Sequence, residues 1–321
     1  MKPHLKVRKP KGLWNCNFKP YQNPGFNQKK KTMIPMKRML NFFSASLVLA
    51  LILLMGSCSP AVKSEKYIGL QLWSVREAMN ADPAATLEAL GKMGYQFVEA
   101  AGYRNGTFYG LEPEAFRELV EANGMAFISS HAGHDLPDAS NWDEVMAWWD
   151  ECIEAHAAAG VQYIVQPWMG QTGYASLEGL KSFCDYFNAV GEKCNQRGIR
   201  FGYHNHDGEF GQLEGETIFD FMLNNTDPDK VMFQLDLYWV VYGGADPIHY
   251  INSYPGRFEH WHVKDETELG ADGIVDFESI FAFREASGMP YLIVEVERYN
   301  HDPMESVRIS LDYLNKAEFV R

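Results

Sequence analysis

The sequence predicts an α/β fold, a single-domain (β/α)8 TIM barrel, from three observations. After residue 65 the chain repeats one unit: an amphipathic stretch, a Gly, one to three residues, then a short β-rich run. Eight such runs alternate with helical patterns, the order of a βα array with right-handed crossovers. A doubly wound sheet is the competitor, but the first run, Leu70-Gln-Leu-Trp-Ser-Val-Arg, leads into no Gly-rich phosphate turn.

Taken in order, the first strand is expected at 67–74. Asp82-Pro83 then supplies an N-cap and first helical residue for a helix continuing through Leu87, Leu90 and Met93. Gly94 precedes Tyr95-Gln-Phe-Val-Glu99, and Gly124 precedes Ala126-Phe-Ile-Ser-Ser130. Asn141-Trp-Asp-Glu opens a helix with a capping-box-like pattern, on which Trp148 and Trp149 read as packing residues. Gly160 comes before Tyr163-Ile-Val-Gln166, and Gly198 before Arg200-Phe-Gly-Tyr-His204. Strands at 231–238 and 259–265 lack the Gly, and Gly288 leads into Tyr291-Leu-Ile-Val-Glu295. Each Gly fits a helix C-cap followed by a buried parallel strand.

Residues 1–57 differ from the rest, with eleven Lys or Arg, no acid, and an apolar run from Phe42 to Met55. That run is shorter than the ~20 residues that span a bilayer, and it follows a basic flank, so it reads as a signal peptide. Leu54-Met55-Gly56-Ser57-Cys58 resembles a bacterial lipobox, which implies an exported, periplasmic protein whose membrane contact is a lipid on Cys58. An apolar N-terminal helix with a chance Cys is the alternative, and Met36 is an alternative start. Residues 58–65 would be a linker and 66–321 the barrel, near the ~250 residues such a domain uses.

Without residues 1–57 the chain carries 18 basic and 42 acidic side chains. A surface that acidic repels phosphate backbones, which excludes nucleic acid as a partner. Cys152, Cys184 and Cys194 then remain beside Cys58, with no metal-type C-x-x-C spacing; Cys152 and Cys184 read as buried free thiols, and Cys184 could pair with Cys194 only if the geometry allowed. Nothing here indicates an oligomeric state.

In a barrel of this kind the active site is built at the C-terminal strand ends. The polar residues there are Gln71 and Trp73, Glu99, His131 and His134, Gln166, His204 and His206, Asp236, His260, His262 and Lys264, and Glu295 and Glu297. Period-two alternation puts His204 with His206 on one face, His260 with His262 and Lys264, and Glu295 with Glu297. Trp261, between two of these, should point outward. Carboxylates and neutral imidazoles satisfy one another around a divalent cation, and mixed N and O ligation suits Mn, Zn, Fe or Co, with Mg also possible, better than Ca. A hydrogen-bonded polar cluster without metal is the alternative. His156, His249 and His301 read as surface residues.

The segments Gly202-Tyr-His-Asn-His-Asp-Gly-Glu-Phe, Gln234-Leu-Asp-Leu-Tyr-Trp, His260-Trp-His-Val-Lys-Asp and Ile293-Val-Glu-Val-Glu resemble the xylose isomerase-like superfamily of sugar isomerases and epimerases. The resemblance implies one divalent metal ion held by Asp236, His262 and Glu295. Where ketose 3-epimerases have a fourth ligand Glu, this chain has His204, with Glu209 five residues on as the alternative. The implied activity is enediolate chemistry on a neutral sugar or keto-sugar. Glu295, His131, His206 and Glu297 are candidate bases or proton shuttles, and Lys264 is the cation for an oxyanion. Gln71, Trp73, Glu99, Gln166, Trp239 and His260 are candidate contacts to a small carbohydrate substrate. Elimination from a 3-keto-glycoside shares this chemistry, and a non-catalytic sugar-binding lipoprotein is the other reading. An endonuclease on the same barrel would need about three metals and a basic face, which the charge opposes.

Overall fold

A computed structural model describes residues 66–288 and 290–320. The expected leader, Cys58 and the linker lie outside the described residues. Among those described, no helix is long and apolar enough to cross a membrane.

Eight parallel strands close into a barrel: β1 (Ile68–Gln71), β2 (Phe97–Ala100), β3 (Ala126–His131), β4 (Tyr163–Gln166), β5 (Arg200–His204), β6 (Val231–Asp236), β7 (Phe258–Val263) and β8 (Tyr291–Val294). Each pairs with its sequence neighbours, and β1 closes on β8 through Ile68 opposite Leu292. The helices that cover it include α1 (Pro83–Met93), α2 (Pro113–Ala122), α3 (Trp142–Ala158), α4 (Leu177–Gln196), α5 (Ile218–Asn225), α6 (Pro247–Ser253), α7 (Phe277–Phe281) and α8 (Pro303–Lys316). The expected strand order is borne out, with three ends shortened; the run 259–265 stops at Val263. The run 67–74 stops at Gln71 and turns into a 3-10 segment, Leu72–Val75, and the run 231–238 stops at Asp236, whose carboxylate caps a short helix by accepting from Trp239 N.

Alternation sorts the strand residues into two cores. Outward-facing Leu70, Val98, Phe201, Tyr203, Phe233, Leu235, Trp261 and Val294 pack in the helix-facing core, and Trp261 Nε1 donates to Ser287 Oγ at 2.9 Å. Phe97, Ile128 and Ile293 form a separate apolar plug, flanked by Tyr163 and Tyr291, that fills the lower barrel. Gly69 is required there, because a Cβ would sit 2.2 Å from the ring of Phe97, its neighbour across the strand pair. Gly94, Gly124, Gly160, Gly198 and Gly288, read as caps, all adopt positive φ, between 72° and 107°.

Two local expectations are corrected. Asp82 caps α1 by accepting from Ala85 N, but Asn141 makes no side-chain cap on α3; its Oδ1 accepts from Asp138 N and closes the preceding turn instead. His156 is fully buried rather than on the surface, its Nδ1 donating to Cys152 O at 2.7 Å, among Tyr103 and Phe108. Burial pushes its pKa down to about 4. His249 and His301 are exposed as expected, and Cys152, Cys184 and Cys194 are buried free thiols.

Candidate active site

Above the apolar plug the barrel interior turns polar in two tiers. Strand register builds the lower one: Gln234 lies opposite His204 on one side and His260 on the other, while Gln71 lies opposite Glu99. All five are buried. Glu99 Oε1 accepts from Gln71 Nε2 at 2.8 Å and His262 Nε2 at 2.7 Å, with His131 Nε2 at 3.1 Å. Its Oε2 accepts from Ser129 Oγ at 2.5 Å and Gln234 Nε2 at 2.8 Å. Burial would raise this carboxyl, but the charges and hydrogen bonds of His131 and His262 outweigh it and hold it well below the usual carboxylate range.

The upper tier holds Asp236, opposite His262 in register, with His204, Glu295 and Lys264. One ligand-type atom from each of His204, Asp236, His262 and Glu295 lies within 4.8 Å of the others. His262 Nδ1 is 3.2 Å from Glu295 Oε2, and Asp236 Oδ2 is 3.9 Å from both His262 Nδ1 and His204 Nε2. Twice a ligand distance of ~2.1 Å spans these separations. Asp236 Oδ2 is buried without a hydrogen-bond partner, a costly state for an anionic oxygen that a divalent cation would relieve. The residues therefore fit such an ion.

Lys264 Nζ reaches Glu297 at 2.7 Å, Glu295 at 3.1 Å and Asp236 at 3.9 Å, so one lysine serves three carboxylates. Burial opposes its charge, but Glu295, Asp236 and Glu297 together raise its pKa above the ordinary lysine value. Burial pushes Asp236 up to about 7 against the pull of Lys264; Glu295, which burial would also raise, is held well below its usual range by Lys264 and then His262. Burial disfavours protonated His262, yet Glu295 and Glu99 raise it to about 10. His204 and His206 are both shifted down, chiefly by burial, and so present neutral imidazoles.

A cavity of about 420 Å³ opens above this tier, lined by His131, His204, His206, Glu295 and Glu297 on its polar side. Trp73, Tyr103, Trp148 and Trp168 form its aromatic walls, and among the described residues no Lys or Arg lines it. Several expected roles change here. Gln71, Glu99, Gln166 and His260 line none of this cavity; they are fully buried, and Gln166 Nε2 is spent on the carbonyls of His134 and Trp168. Trp239 is also off the cavity, its ring 4.7 Å from Lys264 Nζ and 5.6 Å from His206. Lys264 sits behind Glu295 and Glu297 rather than on the cavity wall. Glu209 is buried away from the cluster, accepting from Tyr203 OH, Tyr174 OH and His206 N.

Over residues 87–317 the sequence matches the family described as xylose isomerase-like TIM barrel. The chain belongs to this family. A xylose isomerase-like barrel with similar sequence is the sugar phosphate isomerase/epimerase of Parabacteroides distasonis ATCC 8503, 33% identical, covering 80% of this chain and 100% of that one with a TM-score of 0.76. The chain is also 28% identical over 162 residues to an inosose dehydratase of Geobacillus thermodenitrificans, a match over 43% of this chain and 52% of that one. It thus spans about half the length of that relative. The 3-keto-D-glucoside 4-epimerase of E. coli, at 18% identity and a TM-score of 0.61 over 78% of this chain and 100% of that one, shares the fold. The proteins that this xylose isomerase-like barrel resembles in sequence thus include an isomerase/epimerase and a dehydratase.

Sequence reasoning missed Gln234, Ser129, Tyr103, Trp148 and Trp168 as parts of this region. Gln234 and Ser129 stand on the same strand faces as Asp236 and His131, and Trp168 follows β4 by two residues, so position alone could have flagged them. Trp148 had no such signal: it is a helix residue, on α3, and only the tertiary fold brings it to the cavity.

Proposed function

We propose that the protein is a divalent-metal-dependent enzyme that isomerises or epimerises a neutral sugar or keto-sugar through an enediolate. The observation that carries this reading is the partnerless, buried Asp236 Oδ2 among His204, His262 and Glu295 at the floor of a sugar-sized cavity. An ion held by these four residues would polarise a sugar carbonyl and its neighbouring hydroxyl, making the adjacent C–H acidic. Glu295 borders both the cluster and the cavity and is the base assigned to such a C–H. His131, His206 and Glu297 carry protons from the wall, and neutral His206 is ready to accept one. Lys264 holds Glu295 and Glu297 in place. Trp73, Trp148 and Trp168 offer apolar faces to a sugar ring.

A neutral substrate follows from the charges. Among the described residues no Lys or Arg lines the cavity, Lys264 is committed to three carboxylates, and Arg298 is paired with Glu266. A phosphate would meet Glu295 and Glu297 on the cavity wall, with Lys264 already committed behind them.

Elimination is the second reading. His204 stands where the resemblance implies a carboxylate, and returning a proton to the opposite face needs a second base there; elimination needs one base and one acid. The inosose dehydratase match leans the same way. A screen of free sugars and 3-keto-glycosides in deuterated water, with metal-loaded protein, tests both. Deuterium at the carbon next to the carbonyl, with an epimer or isomer formed, supports the first reading, and an unsaturated product supports the second. No exchange with any keto-sugar would leave a sugar-binding protein. We propose further that the protein is exported and held to the membrane through Cys58; C58S should then appear in the soluble periplasmic fraction, and unchanged membrane association would contradict the anchor.

A further inference from the structure

We infer that Glu99 and Gln234, which touch neither the cavity nor the four ligand atoms, act as a positioning pair that sets which nitrogen of each site histidine carries its proton. This rests on the metal-site reading above.

Gln234 sits at the centre of the lower tier, where every polar atom of its amide is used. Its Nε2 faces Glu99 Oε2 at 2.8 Å and His260 Nδ1 at 3.1 Å. Its Oε1 faces His131 Nε2 at 2.8 Å and His204 Nδ1 at 3.0 Å. Taken alone, such an amide could be turned either way round. Glu99 removes the choice. Donors from Gln71, Ser129 and His262 converge on its two oxygens, so it is an acceptor only, and the group Gln234 turns toward it must be the NH2.

The rest follows by exclusion. With its oxygen turned to His131 and His204, Gln234 requires a donor from each, so His204 carries its proton on Nδ1. That leaves the lone pair of His204 on Nε2, the nitrogen 3.9 Å from Asp236 Oδ2. His262 gives its Nε2 proton to Glu99, so Nδ1, which faces Asp236 and Glu295, is the nitrogen that would give up its proton to take a metal ion. His260, receiving from Gln234 on Nδ1, keeps its proton on Nε2, which is buried with no hydrogen-bond partner. A site assembled for packing alone has no need of that uncompensated N–H; it is the cost of the orientation that suits His204. A carboxylate or amide behind a ligand histidine, fixing its tautomer and ring orientation, is the usual means of preparing imidazole for a metal.

The test is a swap of the pair. In E99Q the new NH2 meets the Gln234 NH2, and the conflict is relieved when Gln234 turns over; its NH2 then faces His204 Nδ1 and drives the proton to Nε2. In E99Q/Q234E the amide and carboxylate have exchanged places, and the residue at 234 again accepts from His204. Histidine-selective 15N NMR on metal-free protein should show His204 protonated on Nδ1 in the wild type, on Nε2 in E99Q, and on Nδ1 again in the double variant. Affinity for Zn(II) and for Mn(II), each measured alone by competition with a chromophoric chelator, should fall about 10- to 100-fold in E99Q and recover in the double variant. A purely structural role would lower thermal stability in both variants without moving the His204 proton. The inference is overturned by a wild-type His204 protonated on Nε2, a result that needs no variant. It is overturned equally by an E99Q protein with unchanged tautomer and affinity, or by a folded double variant whose affinity stays at the E99Q level. Should the wild type bind neither metal, the metal reading falls, while the tautomer series still decides the role of the pair.

Discussion

Asp236 concentrates the chemistry of the site into one atom. Its Oδ1 is committed to capping a helix turn through Trp239 N, and its Oδ2 is left bare among two imidazoles and a lysine, each 3.9 Å away. Removing the side chain takes away a ligand and also a buried anion that is hard to satisfy without metal. D236A is therefore expected to lose bound metal almost completely while keeping its far-UV circular dichroism; metal content equal to wild type would sink the ligand assignment. His156 offers a second residue-scale prediction, far from the metal cluster. Its folded value of about 4 lies below the ordinary 6.5, so below pH 6.5 the unfolded chain binds the extra proton and the native state does not. Stability should fall as pH drops from 6.5 to about 4, by about 1.4 kcal/mol per pH unit from this residue, and be untouched by it above 6.5. Urea titrations of H156F across that window should show a slope shallower by about that amount.

At the scale of elements, the strands place the site and the loops furnish it. Parallel register brings Asp236 beside His262 and Gln234 between His204 and His260, so the ligands are set by backbone pairing. The turns after the strands then supply Trp73, Tyr103 and Trp168 as cavity walls. Replacing Trp168, an exposed wall residue, with Ala should raise KM for the substrate with less effect on kcat, since its contact is equal in ground and transition states. The helix caps differ in a testable way too. D82A removes a real N-cap and should cost about 1 kcal/mol, whereas N141A removes a turn contact and leaves the α3 terminus as it was. Thermal melts of the pair, with equal losses, would contradict that distinction.

For the whole molecule, metal and stability are linked. A ligand at a concentration 100 times its Kd stabilises the native state by about 2.7 kcal/mol. For a domain of this size that corresponds to a Tm shift of about 5–10 °C, so exhaustive chelation should lower Tm by that order and refilling should restore it. Calorimetric scans with and without chelator would show it, and full activity after chelation would contradict the metal-dependent reading. The barrel closes from Ile68 onward, and Lys66 ties the strand entry to the carbonyls of Leu314 and Asn315 at the end of α8. A chain of residues 66–321 should fold alone with the same Tm, measured side by side with the longer protein.

The order of strands, the Gly caps and the face carrying His204, Asp236, His262 and Glu295 could be read from the sequence, because period-two alternation and chain order are local properties. The family could be read for the same reason, from short segments at strand ends. What needed tertiary structure was every decision that depends on distance across the barrel. Glu99, on β2, looked like a substrate contact until His262, on β7, was found 2.7 Å from it. Glu209 looked able to replace His204, and two tyrosines and a backbone amide hold it elsewhere. Trp148 and His156 lie on one helix, where the pattern predicts packing for the first and surface for the second, yet one faces the cavity and the other the core. Sequence pattern states which side of its own element a residue occupies; what stands opposite is set by barrel closure, which joins segments more than a hundred residues apart.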